Sequence, residues 1–297
     1  MKTLLITGGN GLLGQHLIAC AQEQYRIFAT DLSDLPYFNP ALAGYSAADL
    51  TNERAVSALF ERLRPDAVIH TAAMTDVDGC EQKQALARKI NVNATAFIAS
   101  ACHRLGTQLV HLSTDYVFDG ASGPYAEEDK PRPISYYGET KLESEYVVQN
   151  RCPDAAIART MVLFGQAAQV RPNFVTWLIQ RLGQEMSVRI VNDQYGNPTW
   201  AGDLAEMILA LIRTEASGVF HTVGPEWVHR YALAQKVAEV FDLNASLITE
   251  TDSTAFQQTA ARPLKSGLKI DKMMAQTGIA PRSLTAALTA MKNKMSL

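Results

Sequence analysis

The first half of the chain alternates short apolar runs with stretches whose apolar residues recur at helical spacing. Residues 2–7, 25–30, 66–71 and 108–113 are β-prone runs with few polar interruptions, while 12–22, 53–63 and 85–105 carry the helical period. Uninterrupted apolar strands belong to sheets covered on both faces, so the pattern predicts an α/β fold with a doubly wound parallel sheet. Beyond about residue 160 the beat loosens. Helical stretches at 172–183 and 201–213 flank a strand candidate at 187–191, and the remainder mixes short strands and helices. No repeat, low-complexity tract or linker interrupts the chain. The division expected from this is a main domain of residues 1–160 plus about 188–215, and a smaller C-terminal α/β lobe of 161–187 and 216–297.

Composition narrows the class. Of 297 residues, 47% are hydrophobic and 19% charged, enough apolar material for a substantial core and too much for a disordered chain. Lys and Arg number 27 against 30 Asp and Glu, a net charge of −3 that provides no footprint for nucleic acid or an anionic membrane. No apolar run approaches the roughly 18 residues of a membrane span. The start, Met1-Lys2-Thr3-Leu4-Leu5-Ile6-Thr7-Gly8, lacks the long apolar region and cleavage site of a signal peptide. Cys20, Cys80, Cys102 and Cys152 form no C-x-x-C pair and read as reduced thiols of a cytoplasmic protein. The six histidines show no metal-ligand spacing, so no metal is expected; His70 and His111, at strand ends in apolar company, read as core residues.

Two segments carry chemistry. In Thr7-Gly8-Gly9-Asn10-Gly11-Leu12-Leu13-Gly14 the glycines at 9, 11 and 14 form G-x-G-x-x-G between a strand and a helix. Glycine is needed there because the turn is tight, the backbone must approach a pyrophosphate, and the helix must lie close to the strand. Asp31 ends the next strand about 20 residues further on, where a carboxylate can bind the adenosine ribose hydroxyls. It would repel a 2′-phosphate, and Leu32-Ser33-Asp34 supplies no cation, so NADH is expected, with NADPH as the alternative. Asp49-Leu50 follows a third short strand, at the place expected for adenine or for the start of a helix. The second segment joins Ser113-Thr114-Asp115, at the carboxyl end of the fifth strand, with Tyr137-Gly138-Glu139-Thr140-Lys141. Tyr137 and Lys141 share a helix face. A phenol of ordinary pKa near 10 is a poor acid or base at neutrality, and a neighbouring ammonium would lower it.

Together with Ala72-Ala73-Met74-Thr75-Asp76-Val77-Asp78, Ser113-Thr114-Asp115-Tyr116-Val117-Phe118-Asp119-Gly120 and Asn192-Asp193-Gln194-Tyr195-Gly196-Asn197-Pro198-Thr199, these stretches resemble the extended short-chain dehydrogenases/reductases, and among them the dTDP-4-dehydrorhamnose reductase family. Arg262-Pro263 carries the likeness into the last region. The resemblance implies a Rossmann-like cofactor domain and a C-terminal substrate lobe. It implies reduction of a nucleotide-linked 4-keto-6-deoxy sugar, with Tyr137 as proton donor. Lys141 would tune the phenol and anchor the ribose, and Thr114 would bond the substrate C4 oxygen. Gly8, Asn10, Gly11, Leu12, Leu13, Gly14, Asp31, Asp49, Leu50, Ala72, Ala73, Met74, Thr75 and Asn91 would line or support the cofactor. Asp115 and Arg262 would join Thr114 and Tyr137 at the substrate. A monomer or homodimer is expected.

Two positions depart from the family pattern, both in the substrate half. Val162 stands where an aromatic residue is frequent, and Lys265 replaces Asn in Arg262-Pro263-Leu264-Lys265-Ser266. Three alternatives compete. A 4,6-dehydratase would show Thr-Asp-Glu where this chain has Thr114-Asp115-Tyr116. An epimerase would usually be Ser-rich there. A non-catalytic, cofactor-binding regulatory subunit, resembling the β subunit of methionine adenosyltransferase, would keep the same residues without turnover.

Overall fold

In the computed structural model of the chain, residues 1–38, 42–256 and 258–295 are described. The first half contains β1 (Thr3–Thr7), α1 (Leu12–Ala21), β2 (Arg26–Asp31), β3 (Gly44–Ala47), α2 (Glu53–Leu63) and β4 (Ala67–His70). There follow α3 (Val77–Gln82), α4 (Gln84–Arg88), α5 (Ala94–Leu105), β5 (Gln108–Thr114), α6 (Tyr136–Arg151) and β6 (Ala156–Thr160). The second half opens with β7 (Leu163–Phe164), α7 (Phe174–Gly183), β8 (Val188–Val191), β9 (Tyr195–Gly196), β10 (Thr199–Trp200) and α8 (Ala201–Arg213). It closes with β11 (Gly218–His221), β12 (Val228–His229), α9 (Arg230–Val240), β13 (Ile248–Thr251), α10 (Asp271–Thr277) and α11 (Leu284–Met295).

The expected doubly wound sheet is present. Seven strands run in the order β11-β6-β5-β4-β1-β2-β3, each pair parallel. Because strand side chains alternate between faces, Leu4 and Ile6 of β1 pack with α1 and α8, while Leu5 packs with α2 and α5. The chain winds outward from β1 to β3 and returns to β4 on the other side of β1. Parallel sheets bind ligands outside the carboxyl ends of their strands at such a reversal. The helical pattern of 85–105 is realised as α4 and α5 joined by a π-turn, Lys89–Asn93, which turns Asn91 inward.

The division between the domains differs from the expectation at two strands. β8, expected with the main domain, pairs with β13 in a two-stranded sheet. β11, expected in the C-terminal lobe, is the edge strand of the main sheet beside β6. Both are four-residue strands, so local pattern does not choose their partners; long-range packing does. The second lobe has its own core of Phe164, Val175, Leu178, Ile190, Leu233, Val237, Ile248 and Leu288.

Helix α6 is fastened to the sheet by buried polar contacts. Arg159 of β6 makes two bonds to Glu145, Nε to Oε1 at 2.9 Å and Nη2 to Oε2 at 2.7 Å, and Ser113 of β5 donates to the same carboxylate. The side chains of Arg159 and Glu145 are 4% and 2% exposed. Removing one member of such a pair strands the other charge, at a cost of about 3–5 kcal/mol. Glu145→Ala is therefore expected to lose stability of that order in urea unfolding, whereas an exposed pair such as Lys236 with Glu239 is worth about 1 kcal/mol at most.

Candidate active site

The glycine turn lies where the winding reverses. Gly8 has φ +70°, and a Cβ there would lie 2.7 Å from the Thr71 hydroxyl and 2.9 Å from the Ala72 nitrogen. A Cβ on Gly14 would fall onto the Gly8 carbonyl oxygen. The N-terminus of α1, with Gly11 as its cap residue, carries no side-chain cap and no acidic residue in its first turn, whereas Asn52 and Ser135 cap α2 and α6. Free main-chain N–H groups at a glycine-bare helix end fit a pyrophosphate. Each oxygen of Asp31 accepts one main-chain N–H, from Asn10 at 3.0 Å and from Leu32 at 2.8 Å. An ionised carboxylate has about four acceptor positions, so two remain for ribose hydroxyls.

Not every residue expected at the cofactor presents its side chain there. Asn10 is 4% exposed and bonds the Leu35 carbonyl, the Tyr45 hydroxyl and the Tyr37 nitrogen, tying the turn to the loop after β2. Leu13 and Leu50 are core residues, one on each face of the sheet. Their apolar side chains gain more from burial than from facing a polar cleft. Asp49 is exposed and holds the turn before α2 through Thr51, bonds that keep its carboxyl below the usual range. Ala72, Ala73, Met74 and Thr75 follow β4 and remain partly or fully open. Asn91 shapes that segment from beneath. Its amide accepts from the Met74 nitrogen at 2.8 Å and donates to the Met74 carbonyl at 3.1 Å and to the Thr140 hydroxyl at 3.0 Å. Only 1% exposed, it supports the cofactor segment and does not face it.

Thr114 and Tyr137 meet as the sequence predicts. The Thr114 hydroxyl lies near enough to the phenol to act on it, and it donates to the Asp115 carboxylate at 3.1 Å. Tyr137 packs edge-to-face on Tyr116, with ring centroids 5.4 Å apart. Burial raises its phenol well above the ordinary value; the Thr114 hydroxyl opposes this, and Asp115, Tyr116 and Cys80 add to it. The ammonium of Lys141 was expected to hold the phenol down. It instead donates to the Leu112 carbonyl at 2.6 Å and reaches the His111 Nε2 at 3.4 Å. Burial lowers Lys141 to about 8, partly offset by Glu145. His111 stacks on His70, and burial holds both below their ordinary value, so both are neutral near pH 7.

The second lobe closes over this cluster. Arg262 pairs with Asp78 at 2.9 Å, and the Ser266 hydroxyl donates to the Asp115 carbonyl at 3.3 Å. Arg230, at the start of α9, acts electrostatically on both Asp115 and Tyr116 and lies over the Phe174 ring at 5.2 Å. Asp115 is 3% exposed, and burial raises its carboxyl to about 6 against bonds from Ser266 and Thr114 and the charge of Arg230. Sequence reasoning singled out Thr114, Asp115 and Tyr137, which the structure brings together, and Arg262, which acts on Tyr116. It missed Arg230, which has no local motif, and Ser266, visible only as the end of the Arg262-Pro263 string. Val162 adopts φ +45°, a conformation strained for a β-branched residue, and packs partly buried between the lobes' cores. Lys265 has an exposed side chain; its main chain bonds Gly120 and Gly123, so the change from Asn leaves those contacts intact.

Residues 1–297 match the family described as RmlD substrate binding domain. The chain is 31% identical to the dTDP-4-dehydrorhamnose reductase of Aggregatibacter actinomycetemcomitans, over 97% of both chains. Among solved structures it is similar to a dTDP-4-dehydrorhamnose reductase from Clostridium acetobutylicum (33% identity, TM-score 0.88, covering 99% of this chain and 100% of that one). A second, from Bacillus anthracis in complex with NADP, has 29% identity and a TM-score of 0.89, with 99% of both chains covered.

The role of Asn91 can be measured. Asn91→Leu leaves the Met74 N–H without its partner, a loss of about 1–3 kcal/mol for a group left unsatisfied. It also removes one bond each from the Met74 carbonyl and the Thr140 hydroxyl, which still donates to the Tyr137 carbonyl. The variant should unfold at lower urea and bind cofactor more weakly by calorimetric titration.

Proposed function

The chain belongs to the RmlD substrate-binding-domain family, and from that membership we propose that it reduces a nucleotide-linked 4-keto-6-deoxy sugar, dTDP-4-dehydrorhamnose, to dTDP-L-rhamnose. The observation that carries the reading is the pair of hydroxyls, Thr114 and Tyr137, brought together beside the carboxyl end of β5. The glycine turn lies on one side of them and the arginines of the second lobe on the other.

A reduced nicotinamide cofactor, when bound, supplies the hydride. Gly8, Gly11 and Gly14, with the first N–H groups of α1, hold its pyrophosphate, and Asp31 takes the adenosine ribose. Lys141 anchors the nicotinamide ribose. Tyr137 keeps its proton through the neutral range because its phenol is raised, and releases it to the C4 oxygen only as that oxygen gains charge. Thr114 bonds the same oxygen, a contact that strengthens as charge builds. Arg262 and Arg230 provide the positive charge that a nucleotide diphosphate requires. Tyr116, edge-to-face against Tyr137, occupies the position where a dehydratase would carry an acid. Several relatives named as dTDP-4-dehydrorhamnose reductases support the reductase reading. A relative from Danio rerio, 32% identical, is named as the β subunit of methionine adenosyltransferase 2, the alternative that turnover separates.

NADH is the proposed cofactor, from the carboxylate of Asp31. The Bacillus anthracis relative was solved with NADP, so NADPH is the alternative. We place the protein in the cytoplasm as a monomer or homodimer. All four cysteines are free, and no described helix is long and apolar enough to cross a membrane.

The assay is NADH oxidation with dTDP-4-keto-6-deoxymannose beside GDP- and UDP-linked 4-keto sugars. Turnover with the dTDP sugar is expected, and binding without turnover of any of them overturns the reductase reading. Tyr137→Phe should lose about 10²–10⁴-fold in kcat while retaining cofactor binding. In fluorescence titrations NADH should bind at least as tightly as NADPH, and Asp31→Ala should erase the difference.

A further inference from the structure

The segment between β7 and α7 belongs to the second half of the chain, yet it is bonded to the first turns of α1. The Gln15 amide donates to the Ala168 carbonyl at 2.8 Å and accepts the Ala168 N–H at 2.9 Å. The same amide donates to the Asn10 carbonyl at 2.9 Å, and the residue is 7% exposed. Next to it, His16 Nε2 bonds the Gln166 carbonyl at 3.1 Å. Gln169 donates to the Tyr37 carbonyl at 3.5 Å, and the Tyr37 N–H is held in turn by Asn10. At the far end Asn173, which caps α7, donates to the Gly165 carbonyl at 2.6 Å.

Gln15 is the fourth residue of α1, and its amide turns back to Asn10, just ahead of the cap residue Gly11. Residues 166–169 are thereby laid at the rim of the turn whose free N–H groups fit a pyrophosphate. Packing two halves of a chain together needs only apolar surface. A buried amide with both donors used, and with a bond in each direction to one residue, does more: it fixes the orientation of the Ala168 peptide groups.

We propose that Gln15 is a positioning residue for the cofactor, pinning residues 166–169 as the outer wall of the pyrophosphate site and so slowing cofactor release. The proposal rests on the cofactor-binding part of the reductase reading and adds to it a residue outside the glycine motif. Gln15 acts through the main chain of the segment and needs no contact with the cofactor. Its effect falls on the pyrophosphate, because the adenosine ribose lies toward Asp31 and the nicotinamide toward Tyr137.

The test is binding to the full chain of NADH (or NADPH, whichever binds more tightly), of ADP-ribose and of adenosine. Gln15→Met keeps the length of the side chain and removes its three bonds. It should release the dinucleotide about tenfold faster in stopped-flow fluorescence, and weaken dinucleotide and ADP-ribose by about the same factor. Adenosine, which lacks the pyrophosphate, should bind as it does to the wild type. Ala168 and Gln169 form a turn with Gln169 at φ +55°, and proline is favoured at the first central position of such turns. Ala168→Pro removes only the N–H that Gln15 accepts, should reproduce part of the loss, and decides the matter if Gln15→Met does not fold. The double variant should lose less than the two single losses combined, because both changes break one contact. Hydrogen exchange gives a readout without turnover: residues 165–171 should gain protection when ADP-ribose binds the wild type, and little in Gln15→Met. Equal release from the wild type and the variants, or a loss that extends to adenosine, overturns the pin. A wild type that binds neither NADH nor NADPH defeats the cofactor reading on which it rests.

Discussion

Everything at the site depends on the seam between β5 and α6. His111 and Ser113, alternate residues of β5, face the helix and find polar partners, His111 meeting Ser144 at 2.9 Å and Ser113 meeting Glu145, while the main-chain carbonyl of Leu112 between them receives Lys141. Arg159 locks Glu145 from β6. A polar seam in a buried place is costly unless its members are satisfied, and that cost selects a single register of helix on strand. The register sets Tyr137 against Thr114. A one-residue slip of β5 would turn His111 and Ser113 to the other face of the sheet and carry Thr114 away from Tyr137.

The same buried setting governs the electrostatics. Burial drives the phenol of Tyr137 and the carboxyl of Asp115 toward their protonated forms, and drives Lys141, His70 and His111 toward neutrality. With Lys141 at about 8 and Asp115 at about 6, each keeps most of its charge near pH 7 and offsets the other, so the cluster carries little net charge of its own. The arginines lie outside it, on the second lobe, where charge can meet an anionic ligand.

The two lobes meet through main-chain and side-chain bonds around residues 260–268. Ala260 and Arg262 engage Asp78 of α3, Ser266 engages Asp115, and Leu268 donates to Asn197 at 2.9 Å. Contacts from the C-terminal segment thus reach both the end of β5 and the segment after β4, so the substrate side of the cleft is assembled from residues distant in sequence.

By itself the sequence determined the layers and the glycine turn between β1 and α1. Strand and helix periods differ, so residues 2–7, 12–22, 53–63 and 108–113 could be read locally, and the glycines mark a turn that at 8 and 14 has no room for a side chain. The i, i+4 spacing placed Tyr137 and Lys141 on one helix face. Tertiary structure decided what depends on distant partners. β8 and β11, four residues each, carry no mark of which sheet they join. The π-turn that brings Asn91 under Met74 leaves no trace in a helical pattern. Arg230 is a single arginine until α9 docks beside Asp115, and Lys141 has equal access to the phenol and the Leu112 carbonyl until β5 lies against α6. Local periodicity specifies which face of an element is apolar; only the packing of elements specifies which polar groups become neighbours, because burial and hydrogen-bond satisfaction are properties of the assembled seam.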